Sequence, residues 1–125
     1  MGLDMYLEGH KHLLFDWKTP ANNEEEEGFR IKSKIYELGY WRKHQSLHNY
    51  IMSKFADGHD DCEDIELSQT DITDLIEDIN AGAIDDSKRF PRHSDSDLGI
   101  FTRALFWLQA EGGWGYRMVI YRASW

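Results

Sequence analysis

Two histidines four residues apart, His44 and His48, are the residues whose type and spacing most directly suggest chemistry. On an α-helix this spacing places two imidazoles one turn apart, where they can bind one metal ion. Zinc hydrolases with an HExxH helix carry a glutamate after the first histidine, but Gln45 stands here. Other side chains that could complete a metal site are His10, His12, His59, Asp60 and Asp61.

Two other roles for these histidines stay open. Either ring could be structural, half-buried and hydrogen-bonded to the backbone or to a carboxylate. His48 could also act as a neutral base, but the sequence identifies no nucleophile or activated water beside it.

The histidines belong to the segment Leu38–Phe55, which predicts the main helix of the fold. At 100° per residue five side chains fall in one sector, with His48 at its edge. These are Tyr40, His44, Leu47, Ile51 and Phe55. The pattern predicts that both histidines lie at or near the buried face.

Acidic residues are concentrated in the middle of the chain. Residues 57–97 contain fourteen Asp or Glu against three Lys or Arg, whereas the whole chain has a net charge of −9. A field of this sign repels phosphate backbones and attracts basic surfaces, so a protein with a basic surface is the expected partner and direct nucleic-acid binding is not. The candidate partner-binding residues are Asp71, Asp74, Glu77 and Asp78 on one helix, with Asp60 and Asp61 before it.

Periodicity predicts four strands and three helices in the order β-β-α-β-α-α-β. Alternation predicts strands at 2–8, 29–36, 62–67 and from Tyr116 to the end, and a 3.6-residue period predicts helices at 38–55, after Ser68 and after Asp97. The order favours an α+β fold in which three helices cover one face of a small, largely antiparallel sheet. We expect one domain over residues 1–125, with exposed loops at about 19–28 and 83–97.

Composition bounds the remaining expectations. A single cysteine, Cys62, fits a reducing compartment, and no secretory leader or membrane-length apolar run is visible, so we expect a cytoplasmic protein without membrane contact. No Gly-rich phosphate loop, GxSxG or CxxC motif occurs, so we expect no cofactor. Trp107 and Trp114, expected to be exposed, keep homo-oligomerisation open.

Several short segments of the chain are informative in combination: GLDMYL at 2–7, LGYWRK at 38–43, Leu47-His48, Asp60-Asp61-Cys62, an SxxDI helix start at 68–72 and the final Ser124-Trp125. With these segments the sequence resembles a group of uncharacterised small proteins encoded by bacteriophages and prophages. The resemblance implies a phage origin and a bacterial host cytoplasm, but no activity. In that group a histidine corresponds to His48, while the position of His44 usually holds a small residue, so the resemblance favours His48 alone as a site residue.

Two functions are therefore expected from the sequence. The first is a non-enzymatic phage protein whose acidic middle third binds a basic surface of a host protein, by analogy one that handles nucleic acid or takes part in defence. The alternative is a small metal-binding protein or hydrolase centred on His48, with Asp60, Asp61 and His44 as further ligands.

Overall fold

A computed structural model describes residues 3–15, 17–19, 23–56, 64–84, 90–91, 96–110 and 115–124 of the chain. These residues form three helices and seven strands. The helices are α1 (Gln45–Phe55), α2 (Gln69–Asn80) and α3 (Asp97–Gln109). The longer strands are β1 (Asp4–Leu13), β4 (Ser33–Arg42) and β7 (Gly115–Ser124). The short strands are β2 (Glu25–Glu26), β3 (Phe29–Arg30), β5 (Ile65–Leu67) and β6 (Phe90–Pro91).

The main sheet has the order β5-β7-β1-β4-β6, and all neighbouring strands are antiparallel. The hairpin β2-β3 forms a separate sheet of two strands. The predicted α+β class and the order of its strands and helices are confirmed, with the two-residue strands β2 and β6 as additions. The predicted strand at 29–36 is instead divided into β3 and the start of β4, which continues to Arg42.

The helices cover one face of the sheet, and the core lies between the two layers. Met5 and Leu7 of β1 point into this layer because alternate residues of a strand face the same side. Helix α3 crosses the sheet, where Phe101 stacks on Trp41 and the Trp107 ring lies against Gly9. The expectation of an exposed Trp107 is therefore wrong, since its ring is half-buried on the sheet; Trp114 lies outside the described residues.

The predicted helix at 38–55 is wrong in its first seven residues. Residues up to Arg42 continue strand β4, and helix α1 begins only at Gln45. Aromatic residues favour strands, and Gly39 lies inside β4 where the side chain of Ile100 packs over it. The strand is broken instead at Lys43, whose φ of 58° turns the chain into the helix.

Three other boundaries also differ from the prediction. Strand β1 extends to Leu13, beyond the predicted end at residue 8. The expected loop at about 19–28 is exposed from Glu24 to Gly28 but contains strand β2. The expected loop at 83–97 contains β6, and the helix predicted after Asp97 begins at Asp97 itself. Ser96 caps this helix, α3, and its side chain accepts a hydrogen bond from the Gly99 N–H.

Candidate functional site

A buried polar network contains the first of the two histidines. Nε2 of His44 lies 2.7 Å from Oδ2 of Asp97, and Nε1–H of Trp41 donates to Oδ1 of the same carboxylate over 2.8 Å. The three residues are fully buried. Because an ionised carboxylate only accepts hydrogen bonds, the His44 nitrogen that faces it carries the hydrogen.

The second histidine belongs to a different contact. Nδ1 of His48 and the hydroxyl of Tyr121 are 2.6 Å apart and hydrogen-bonded, and both side chains are buried. Tyr121 lies on β7, so this bond ties helix α1 to the middle of the sheet. His44 and His48 thus each have a buried hydrogen-bonding partner. Both rings are fully rather than half-buried, and the tyrosine hydroxyl that bonds His48 is a kind of partner that the sequence did not suggest.

Local backbone features bring these partners together. The positive φ of Lys43 ends β4, and its N–H donates to the carbonyl of Leu3. His44 then occupies the N-cap position of α1, but its side chain makes no capping bond because the ring points towards Asp97. The N-cap at Ser96 starts α3 so that Asp97 lies in its first turn, facing the junction.

The chemistry available to this network is limited by its burial. Nδ1 of His44 has no hydrogen-bond partner within the described part of the chain, so it is the basic atom of the pair. Both partners of the His44–Asp97 contact are fully buried, and the hydrogen bonds of the network join β4, α1 and α3.

The structure does not place the other suggested metal ligands beside His44 and His48. His10 and His12 lie on the opposite face of the sheet, since they alternate with the buried Met5 and Leu7 along β1. His59, Asp60 and Asp61 lie outside the described residues. Within the described ranges, no group of three or more His, Cys, Asp or Glu side chains could hold a metal ion.

Sequence reasoning missed the partners of both histidines. In the sequence, Trp41 falls inside the predicted helix at 38–55, Asp97 only precedes a predicted helix, and Tyr121 falls in the predicted final strand. The contacts span 56, 53 and 73 residues of chain for Trp41–Asp97, His44–Asp97 and His48–Tyr121. Local periodicity carries no signal for pairs this far apart.

The four acids predicted on α2 differ in what they contact. Asp71 completes a capping box, in which its carboxylate accepts the Ser68 N–H and its own N–H donates to Ser68 Oγ. Asp78 accepts hydrogen bonds from Tyr50 and Lys54 of α1. Asp74 is half-buried and Glu77 is exposed. Two of the four carboxylates, those of Asp71 and Asp78, thus help to hold the fold.

The contacts of Asp78 predict a pH effect. The Tyr50 hydroxyl and then the Lys54 ammonium lower the pKa of Asp78 below its ordinary value. The lowered pKa belongs to the folded state, so the ionised carboxylate of Asp78 stabilises the fold above about pH 4. This contribution to the free energy of unfolding disappears as the pH falls through the lowered pKa and the carboxylate is protonated. We expect Tyr50→Phe and Lys54→Met each to raise the pKa of Asp78, measured from the NMR titration of its carboxyl carbon.

Asp64 supplies the control in the same spectra. Its pKa is lowered mainly by the hydrogen bonds from Arg122, which lies on β7 away from α1. It should titrate identically in wild type and in both variants. An unchanged Asp78 midpoint in both variants would contradict the assignment.

No protein-family model, curated protein or solved structure matches the chain. In the described part of the chain, none of the helices combines the length and apolar character needed to cross a membrane.

Proposed function

We propose that this is a phage-encoded acidic interaction protein that binds a basic surface of a host protein through helix α2. The observation that carries the proposal is the charge of that helix, which has four acids and no Lys or Arg over Gln69–Asn80. By analogy, a partner that handles nucleic acid or takes part in defence is favoured, because its phosphate-binding surface is basic.

The four acids of α2 have different roles in this proposal. Asp71 and Asp78 set the helix start and its attachment to α1, whereas Asp74 and Glu77 contact the partner. Lys54 neutralises part of the charge of Asp78, so the field is strongest toward the middle of the helix. Charges at the rim of an interface mainly set the association rate and its salt dependence.

The test removes these two charges while the structural acids stay. Asp74→Asn with Glu77→Gln should weaken binding to host proteins captured by the wild type by a factor of about 2 to 30, because exposed ion pairs contribute about 0.2–1 kcal/mol each. The measurement is quantitative pull-down from bacterial host extract with mass spectrometry, repeated at low and high salt.

The matched control is Glu25→Gln with Glu26→Gln. It changes the net charge by the same amount on the exposed hairpin strand β2. If both double variants lose the same partners equally, binding depends on net charge alone; if neither loses any, α2 is not the contact surface. Either result rejects the proposal.

A further inference from the structure

A second pair of histidines lies on the face of the sheet that the helices leave uncovered. His10 and His12 are two residues apart on β1, so both rings project from the same side. His10 is opposite Met118 of β7 and Ile35 of β4, and His12 is opposite Tyr116 and Ser33. This pair is separated from His44 and His48 by the whole sheet.

The two rings are close and held by neighbours. Their centroids are 6.4 Å apart, with an angle of 37° between the ring planes. The His12 ring stacks on Tyr116 at a centroid distance of 4.9 Å. The side chain of His10 is 14% exposed. The two rings therefore lie side by side on one face of β1.

The hydrogen bond of His10 leaves a ligand nitrogen available. Its Nε2 lies 3.2 Å from Oε1 of Glu8. Because the carboxylate accepts, Nε2 carries the hydrogen, and Nδ1 of the neutral ring keeps the lone pair that binds a metal. A carboxylate on the second ring nitrogen is the usual arrangement behind a metal-binding histidine, where it orients the ring and raises its basicity.

The charge around the pair favours a cation. Glu8 and Asp64 both lie at this face, and a single guanidinium, that of Arg122, contacts both of them. Arg122 donates two hydrogen bonds to Asp64, of 2.9 and 2.8 Å, and its Nη1 is 3.6 Å from Oε1 of Glu8. Two carboxylates against one guanidinium leave a net negative charge beside His10.

We propose that His10 and His12 form a two-histidine chelate for a divalent first-row transition-metal ion on the face of the sheet opposite the helices. Since no third ligand of the His, Cys, Asp or Glu type joins them among the described residues, water fills the remaining positions. Nitrogen ligands favour copper, nickel and zinc, and affinity should follow Cu²⁺ above Ni²⁺ above Mn²⁺. The site is independent of the acidic face of α2.

The test titrates tag-free full-length protein with Ni²⁺ at pH 7.5 by calorimetry. We expect one ion per chain at this site, with His10→Gln and His12→Gln each weakening the affinity about 100-fold, since chelation by two groups is lost. Glu8→Gln should weaken it about tenfold, because the orienting carboxylate is gone.

Lys11→Gln is the matched control, because Lys11 lies between the two histidines but points to the other face of β1. It should bind Ni²⁺ as wild type does. Binding that survives unchanged in both histidine variants would overturn the proposal, as would equal loss in the Lys11 variant.

Broadening of NMR signals by paramagnetic Cu²⁺ tests the same proposal in the wild-type protein, without any substitution. Sub-stoichiometric Cu²⁺ should broaden the NMR signals of His10, His12 and Tyr116 before those of His48, which lies on the other side of the sheet. The reverse order would reject the site.

Discussion

Replacing Asp97 by alanine should lower the free energy of unfolding by about 3–5 kcal/mol. The substitution leaves the Nε1–H of Trp41 and the Nε2–H of His44 without an acceptor, in a place that water does not reach. A buried donor without a partner costs about 1–3 kcal/mol, and here two donors lose the same carboxylate. Small domains are stable by about 5–15 kcal/mol in total, so the loss is a large fraction.

Urea denaturation at pH 7, followed by circular dichroism, measures this effect. Ser96→Ala is the neighbouring control: it removes the helix cap on α3 but leaves the network intact, and should cost about 1 kcal/mol. Asp97→Asn keeps an oxygen acceptor for one donor, so it should fall between the two. A cost for Asp97→Ala no larger than that of Ser96→Ala would show that the network does not stabilise the fold.

Gly39→Ala should destabilise the protein by about 1–3 kcal/mol through overpacking. A Cβ at this position would lie 2.6 Å from Cγ2 of Ile100 and 3.1 Å from the ring of Trp41. Both neighbours are buried between β4 and α3, so neither can move aside without disturbing the core. The contact explains why a residue without a side chain is needed inside a strand.

A double-mutant cycle with Ile100→Ala separates this clash from a general effect on the strand. Ile100→Ala alone should cost about 2–5 kcal/mol because it leaves a cavity. The double variant should be more stable than the sum of the two single effects by about 0.5 kcal/mol or more, since the removed Cγ2 makes room for the new methyl group. Additive effects would contradict the direct contact.

Gly9, on the neighbouring strand β1, is a second glycine at which the cost of an added methyl group can be compared with that at Gly39. An added Cβ there would meet the Trp107 ring at 2.8–3.0 Å. Trp107 is only half-buried and lies in the last turn of α3. Its ring can therefore move towards solvent more easily than the buried Ile100 side chain can. We therefore expect Gly9→Ala to cost less than Gly39→Ala in the same urea experiment.

The two proposed binding surfaces lie on opposite sides of the sheet. Helix α2 belongs to the helical layer, and the His10–His12 pair lies on the face opposite the helices. Partner binding and metal binding can therefore be altered one at a time: the α2 double variant should keep its Ni²⁺ affinity, and His12→Gln should keep its protein partners.

The sequence by itself determined the features that depend on neighbours a few residues away. Helix α2 follows from its apolar period and from a capping box closed between Ser68 and Asp71. The alternation in β1 follows likewise from the pleat of a strand, and the concentration of acids is visible by counting. These interactions lie within one turn or one strand, so local spacing contains the information that they need.

Only the tertiary structure decided the secondary structure of residues 38–44 and the contacts that the histidines make. A helical period runs through Leu38–Phe55, but pairing with β1 and packing under Ile100 make its first part a strand, because burial against distant neighbours outweighs local preference. The role of His44 depends on Asp97, 53 residues away. The sequence offers His10 and His12 as further ligands for a site with His44 and His48. The sheet places the two pairs on opposite sides, because successive side chains of a strand alternate between faces.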